Sequence, residues 1–243
     1  AFRLSELFGQ IFMLRSVTRL SHARGDVTLG EIAKKRVKGE FKKDVRFFCL
    51  PANARRNRPI MIEKFSRIKE AVDSLPYNRL ELVEGARLGI IASGISYCYA
   101  REALNWMGLE NRVSLLKIGT PWPLPEKLVR QLLSSVPEVL VIEELEPFVE
   151  NHVKIIAQEA GIGVRIHGKD VVPIANELST RKAAEAISRI AGEKTPVNFA
   201  EIDKQVAETM SILPARPPTL CAGCPHRASF YAINVVSRRV KKD

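Results

Sequence analysis

Between Ala86 and Ala191 the chain alternates short apolar runs with longer amphipathic ones, a pattern that commits it to a parallel sheet covered by helices. "RLGIIAS" (87–93), "RVSLLKIG" (112–119), "EVLVIEE" (138–144) and "GVRIHG" (163–168) read as four strands. "SYCYAREALNWMG" reads as a helix ending at Gly108, and "EKLVRQLLSS" as a second after "TPWPLP", where three prolines forbid regular structure. "PFVENHVKIIAQEAG" is a helix opened by Pro147 and closed by Gly161, and "STRKAAEAISRIAG" another, capped by Ser179 or Thr180. The fold class is therefore α/β with a mostly parallel sheet.

Either side of this unit the organisation changes. Residues 1 to about 24 read as a helix, "SELFGQ", and a strand, "IFMLRSVTRLSH", without enough neighbours to bury both faces. Residues 31 to about 85 form a basic connector with one helix, "RPIMIEKFSRIKEAVDSL", with Pro59 near its start. After Gly192 comes a linker with one helix that ends in a run of prolines, and then "LCAGCPHRASFYAINVV".

Composition narrows the classes. Hydrophobic residues make up 46% and charged residues 27%, with no long apolar run, which excludes a disordered chain and leaves no candidate for a spanning segment. The start lacks both Met and a signal-peptide layout, so the chain reads as cytoplasmic and as a slice of something longer. Four scattered cysteines fit a reducing compartment rather than a disulfide scaffold. A net charge of +11 asks for an anionic partner. The basic clusters at 34–43, 54–58 and 237–242 have no nucleic-acid-binding signature beside them, so they read as solvated faces, and neither nucleic acid nor membrane is expected as a partner.

Three stretches carry candidate chemistry. Cys221 and Cys224 form one C-x-x-C, which can bind a metal, close a small disulfide ring or serve as a structural turn; a structural zinc site needs two such pairs. Pro225 displaces His226 from the haem-attachment spacing, while a cysteine followed by proline also ends bacterial iron–sulfur motifs. His22, at a strand's end near Thr18, Arg19 and Ser21, either faces a ligand or is a satisfied structural residue. Glu143, Glu144, Glu146 and Glu150 stand where open α/β sheets bind ligands, yet acids at a helix start also simply favour its dipole, and that reading leads. No G-x-G-x-x-G or P-loop occurs.

Taken in order, "TRLSHARG", "FFCLPANARR", "LGIIASGISYCYAREAL", "LKIGTPWPLPEKLV", "VLVIEELEPFVE" and "LCAGCPHRASFYA" resemble the large (alpha) subunit of the indolepyruvate:ferredoxin oxidoreductases. These belong to the thiamine diphosphate-dependent 2-oxo acid:ferredoxin oxidoreductase superfamily. The resemblance implies a domain plan: the end of a pyrimidine-binding domain (1–26), a basic connector (27–85), a transketolase C-terminal-like domain (86–192), a linker (193–218) and the start of a diphosphate-binding domain (219–243). It also implies oxidative decarboxylation of an aryl 2-oxo acid to an acyl-CoA, as in anaerobic amino-acid metabolism. The implied cofactors are thiamine diphosphate, Mg2+ and 4Fe–4S clusters; the implied partners are coenzyme A, ferredoxin and a small (beta) subunit. Carried over by position, Cys221, Gly223, Cys224 and His226, with Thr18, Arg19 and Ser21, would lie near thiamine diphosphate. His226 and His22 would be the catalytic candidates, and Cys221 and Cys224 the iron–sulfur ligands.

The chain departs from that pattern where catalysis needs it most. No Gly-Asp-Gly motif with a following Asn is present, "RGDVTLG" does not replace it, and there is no ferredoxin-like run of cysteines. The chain alone is therefore expected to be catalytically silent. The alternative expectation is a non-catalytic assembly or docking domain that binds a partner subunit, acidic ferredoxin or CoA.

Overall fold

The computed structural model describes residues 1–31, 39–40, 43–215, 217 and 219–241. The basic cluster at 34–43 lies outside them except for Gly39, Glu40 and Lys43, as do Pro218 of the proline run and Lys242 of the basic tail. The chain divides into a unit from Ala1 to Pro196 and a second from Val197 onward.

In chain order the first unit contains α1 (Phe2–Phe8), the single turn α2 (Thr18–Ser21), a 3-10 turn (Val45–Phe47) and α3 (Pro51–Val72). The sheet region follows: β1 (Arg79–Glu81), β2 (Leu88–Ser93), α4 (Ile95–Met107), β3 (Val113–Ile118), α5 (Glu126–Ser135), β4 (Glu138–Ile142), α6 (Phe148–Ala160), β5 (Arg165–His167) and α7 (Thr180–Ala191). The sheet order is β1-β3-β2-β4-β5. β2, β3, β4 and β5 run parallel, and β1 closes one edge antiparallel to β3.

The core lies on both faces of that sheet. Ile90, Leu115 and Leu140 point to one face, against Ala100, Ala103 and Leu104 of α4 and Ala184 and Ile187 of α7. Ile91, Leu116 and Val141 point to the other, against Leu132 and Leu133 of α5 and Val153 of α6. Burial on both faces is why these strands read as continuous apolar runs instead of alternating ones. Gly108, Gly161 and Gly192 each end a helix in the left-handed conformation, and Ser179 caps α7 by accepting from the Lys182 amide.

Three local expectations are corrected. No strand forms over Ile11–His22: the stretch is irregular up to Val17 and then makes the turn α2. Its apolar side chains Ile11, Met13 and Leu14 are exposed, and a strand persists only where a neighbour pairs its backbone groups. The connector helix begins at Pro51, not near Pro59, which lies inside α3. Pro51 has the geometry for a first turn, whereas Pro59 lies on an exposed stretch inside α3, where it has no amide to offer the Arg55 carbonyl. Finally, β1 is a strand that the sequence pattern does not reveal, because "RLE" is short and charged at both ends.

The second unit contains α8 (Phe199–Ile212), capped by Asn198, and α9 (His226–Val240). Neither helix has a buried residue. Among the described residues, no helix is long and apolar enough to cross a membrane.

Candidate functional site

The strand order places β3 and β4 on opposite sides of β2, so the chain reverses direction across the sheet between β2 and β4. Crevices at such a point, outside the carboxyl ends of the strands, are where open α/β sheets take ligands. Three of the four acids that the sequence offers there, Glu143, Glu144 and Glu150, are engaged in structure, and Glu146 is exposed. Glu143, buried just past β4, turns its carboxylate onto the first turn of α6 and accepts from the Val149 amide at 2.8 Å and the Glu150 amide at 2.9 Å. Glu150 accepts from the Lys169 amide at 2.9 Å and pairs with the Lys154 ammonium at 2.5 Å. The Lys169 ammonium donates to the Glu143 carbonyl, and Glu144 accepts from the Leu178 amide at 3.0 Å.

Burial outweighs the amides here. Desolvation pushes the Glu143 carboxyl above the ordinary carboxylate range, against the pull of the two amides and of Lys169. The same desolvation holds the Lys169 ammonium below the ordinary lysine value, although four glutamates oppose it. Gly168 makes this knot possible: a Cβ there would lie 2.0 Å from a Glu150 carboxylate oxygen. Glu143 therefore serves the start of α6, in agreement with the dipole reading, while Glu144 and Glu150 hold the Leu178 and Lys169 amides of neighbouring loops.

The cysteine motif has a definite shape in the second unit. The Cys224 amide donates to the Cys221 carbonyl at 3.1 Å, and Gly223 has φ +74°, the left-handed geometry that the third position of a type II turn demands. Pro225 then stands at the N-cap of α9, with the Arg227 amide returning to the Cys224 carbonyl at 3.1 Å. The turn brings Cys224 Sγ within 3.2 Å of His226 Nδ1. Thiol and imidazole at that separation are hydrogen-bonded to one another. Cys221 and His226 are exposed, Cys224 is half-buried, and no disulfide joins the pair.

In the first unit, Thr18, Arg19 and Ser21 form α2, and His22 follows as its last, exposed position. The Ser21 hydroxyl meets that of Ser16 at 2.9 Å.

The implied cofactors can be weighed against these residues. An iron–sulfur cluster takes four cysteine ligands, and the turn supplies two. Among the described residues, no group of three or more His, Cys, Asp or Glu stands ready to hold a metal ion. Magnesium with a diphosphate needs oxygen ligands, yet residues 219–241 contain no Asp or Glu. The residues present do not by themselves fit a closed cluster or a magnesium–diphosphate site.

The family model for the indolepyruvate oxidoreductase domain matches residues 78–211, which is more than half of the chain. The chain belongs to the indolepyruvate oxidoreductase family. Over 96% of its length it is 49% identical to indolepyruvate oxidoreductase subunit IorA of Thermococcus kodakarensis, covering 37% of that subunit. It is 46% identical to the same subunit of Pyrococcus abyssi, with the same two coverages, and 38% identical to that of Archaeoglobus fulgidus over 97% of the chain and 37% of the subunit. The chain thus spans a little over a third of these relatives' length. Among solved structures, a 2-oxoglutarate:ferredoxin oxidoreductase from Magnetococcus marinus, with 2-oxoglutarate, coenzyme A and succinyl-CoA bound, is similar over 58% of this chain and 24% of its own, at 18% identity and a TM-score of 0.43. An inactive split-gene transketolase is similar over 48% of this chain and 42% of its own, at 16% identity and a TM-score of 0.38.

Two polar centres of this family member carry no signal in its sequence. Asn78 holds the start of the loop after β3, and Arg79, Arg101 and Lys117 gather around Tyr97. Each draws its members from separate elements, so only the sheet register and the first two turns of α4 bring them together.

Proposed function

We propose that this chain is part of the large subunit of an indolepyruvate:ferredoxin oxidoreductase in the cytoplasm. The reaction converts an aryl 2-oxo acid and coenzyme A to an aryl-acyl-CoA and carbon dioxide, with two electrons released to ferredoxin; iron–sulfur clusters would supply the one-electron chemistry. Thiamine diphosphate with Mg2+ supplies the carbanion chemistry when bound. The observation that carries this reading is the 49% identity, over 96% of the chain, to a protein named indolepyruvate oxidoreductase subunit IorA.

In this reading residues 86–192 are the transketolase C-terminal-like domain, flanked by the end of a pyrimidine-binding domain (1–26) and the start of a diphosphate-binding domain (219–243). Cys221, Gly223, Cys224 and His226 then lie near thiamine diphosphate or a proximal cluster, and Thr18, Arg19, Ser21 and His22 are assigned near thiamine diphosphate by their place in the family pattern. Two cysteines and no carboxylate in residues 219–241 leave the remaining ligands to other parts of the subunit or its small partner, so the 243-residue chain alone is inactive. The assembly alternative, docking to the small subunit, to acidic ferredoxin or to CoA, is favoured by one observation: α8 and α9 bury no residue of their own.

The test is anaerobic. The full-length subunit is expressed with its small partner, loaded with thiamine diphosphate and iron, and viologen or ferredoxin reduction is followed with indolepyruvate, phenylpyruvate and pyruvate, with and without CoA. CoA-dependent reduction that prefers the aryl acids, and none by the 243-residue chain alone, is the expected result. No reduction with any 2-oxo acid from loaded enzyme would overturn the reading.

A further inference from the structure

We infer that Arg79, Arg101 and Lys117 form a binding site for a phosphate dianion on the β1 edge of the sheet. The three side chains come from β1, α4 and β3 and converge on one phenol. The Arg79 guanidinium donates to Tyr97 Oη at 2.8 Å and that of Arg101 at 3.1 Å, while the Lys117 ammonium stands 5.1 Å from the Tyr97 ring centroid. Register makes this convergence unavoidable. Arg79 and Lys117 are directly opposed in the β1–β3 ladder, so their side chains share a face, and that face is the one α4 covers.

The charge does not balance. Glu81 is the one carboxylate in ion-pair range of the cluster among the described residues, and it is shared: Arg79 reaches it at 2.8 Å and Arg101 at 2.5 Å. Among the described residues, Lys117 meets only the Tyr97 ring face. Three cations against one carboxylate leave two positive charges at one partly exposed spot.

Two guanidinium forks and an ammonium present many donors to a compact group with several acceptor oxygens and a double charge. A phosphate matches that number and charge, whereas a single carboxylate, as Glu81 shows, satisfies the two arginines and leaves Lys117 without an acid. Tyr97 stands in the first turn of α4, whose amides no side chain caps, and the helix field there also favours an anion. The inference uses only this cluster and stands whether or not the chain serves the reaction proposed above.

The test is a titration of the 243-residue chain at low ionic strength, by calorimetry and by 31P line shift. The probes are inorganic phosphate, methyl phosphate and adenosine 5′-monophosphate, each with wild type and variants whose fold is checked by circular dichroism. Lys117→Gln and Arg79→Gln should each weaken binding roughly tenfold, the loss of one charge-assisted contact. Glu81→Gln should tighten it several-fold, because it frees both guanidiniums. Arg55→Gln on α3, with the same change in charge, should leave it unaltered. Equal binding of all three probes identifies the phosphoryl group alone as the ligand, and tighter binding of the nucleotide identifies a phosphate ester as the source; both support the site. No binding of any probe at millimolar concentration, or binding that Arg55→Gln weakens as much as Lys117→Gln, overturns it.

Discussion

Replacing Asn78 should unfasten the loop that follows β3. Its buried side chain donates to the Val72 carbonyl and to the Thr120 hydroxyl, each at 2.8 Å, and accepts from the Gly119 amide at 2.8 Å and the Thr120 amide at 3.1 Å. One amide group thereby ties the end of α3, the approach to β1 and the exit from β3. Asn78→Ala removes these four bonds and the contact of the Thr120 hydroxyl with Asn78 Oδ1 at 3.2 Å, and takes their acceptor from the Gly119 and Thr120 amides; the Val72 carbonyl keeps the Leu75 amide at 3.2 Å. At a net contribution of about 1 kcal/mol per bond the loss is about 3–4 kcal/mol, a large share of the 5–15 kcal/mol that holds a domain folded. Asn78→Asp keeps the acceptor bonds but sets a buried carboxylate oxygen against the Val72 carbonyl oxygen, so it should lose at least as much. Urea unfolding followed by circular dichroism reads this as a fall in midpoint at constant slope. The same loop carries Trp122, whose ring lies 5.7 Å from that of Phe65 and 5.1 Å from that of His152. In a Trp106→Phe background its emission should therefore shift in Asn78→Ala before the global transition. A loss under about 1 kcal/mol with unchanged emission would mean that the loop is held by its backbone alone, and the reasoning would fail.

Gly119→Ala tests the same junction from its other side. A Cβ would sit 2.6 Å from the Tyr77 carbonyl oxygen, backbone against backbone, so a cost of about 2–3 kcal/mol is expected; a neutral substitution would show that this turn yields freely. Glu143 gives a pH signature. Its folded carboxyl titrates above the unfolded value, so the stability linked to its proton is fully present below the unfolded value and is lost as pH rises through the folded one. Wild type should therefore lose stability relative to Glu143→Gln as pH rises through the folded value, and parallel midpoints across pH 4 to 8 would contradict the assignment. Ser179→Ala removes the cap of α7 and should cost about 1 kcal/mol in thermal or urea unfolding, with no loss expected only if water replaces the hydroxyl.

The parallel core was legible because each of its signals is local. Apolar runs of five or six residues buried on both faces, and glycines that close α4, α6 and α7, lie wholly within their own stretches of sequence. β1 was not, because three residues ending in Arg79 and Glu81 carry no periodicity; they become a strand only because β3 offers a free edge in register. The stretch Ile11–His22 fails in the opposite sense. It has the composition of a strand, and no edge among the described residues pairs with it.

The site was legible in the same measure. The Cys221–Cys224 turn could be read because its residues are adjacent, and the structure adds the thiol–imidazole contact of 3.2 Å that spacing alone does not give. Charge was less informative where it was densest. The +11 total directs attention to runs such as Ala54–Arg58, yet in such a run each guanidinium on a solvated helix is screened by water and contributes little to binding any one anion. Arg79, Arg101 and Lys117 are isolated in sequence and contribute one charge each from three elements, and their effect comes from convergence on Tyr97 with a single carboxylate to share. What selects an anion is the unbalanced charge within a few ångströms, and that quantity is set by sheet register, which no count of basic residues contains.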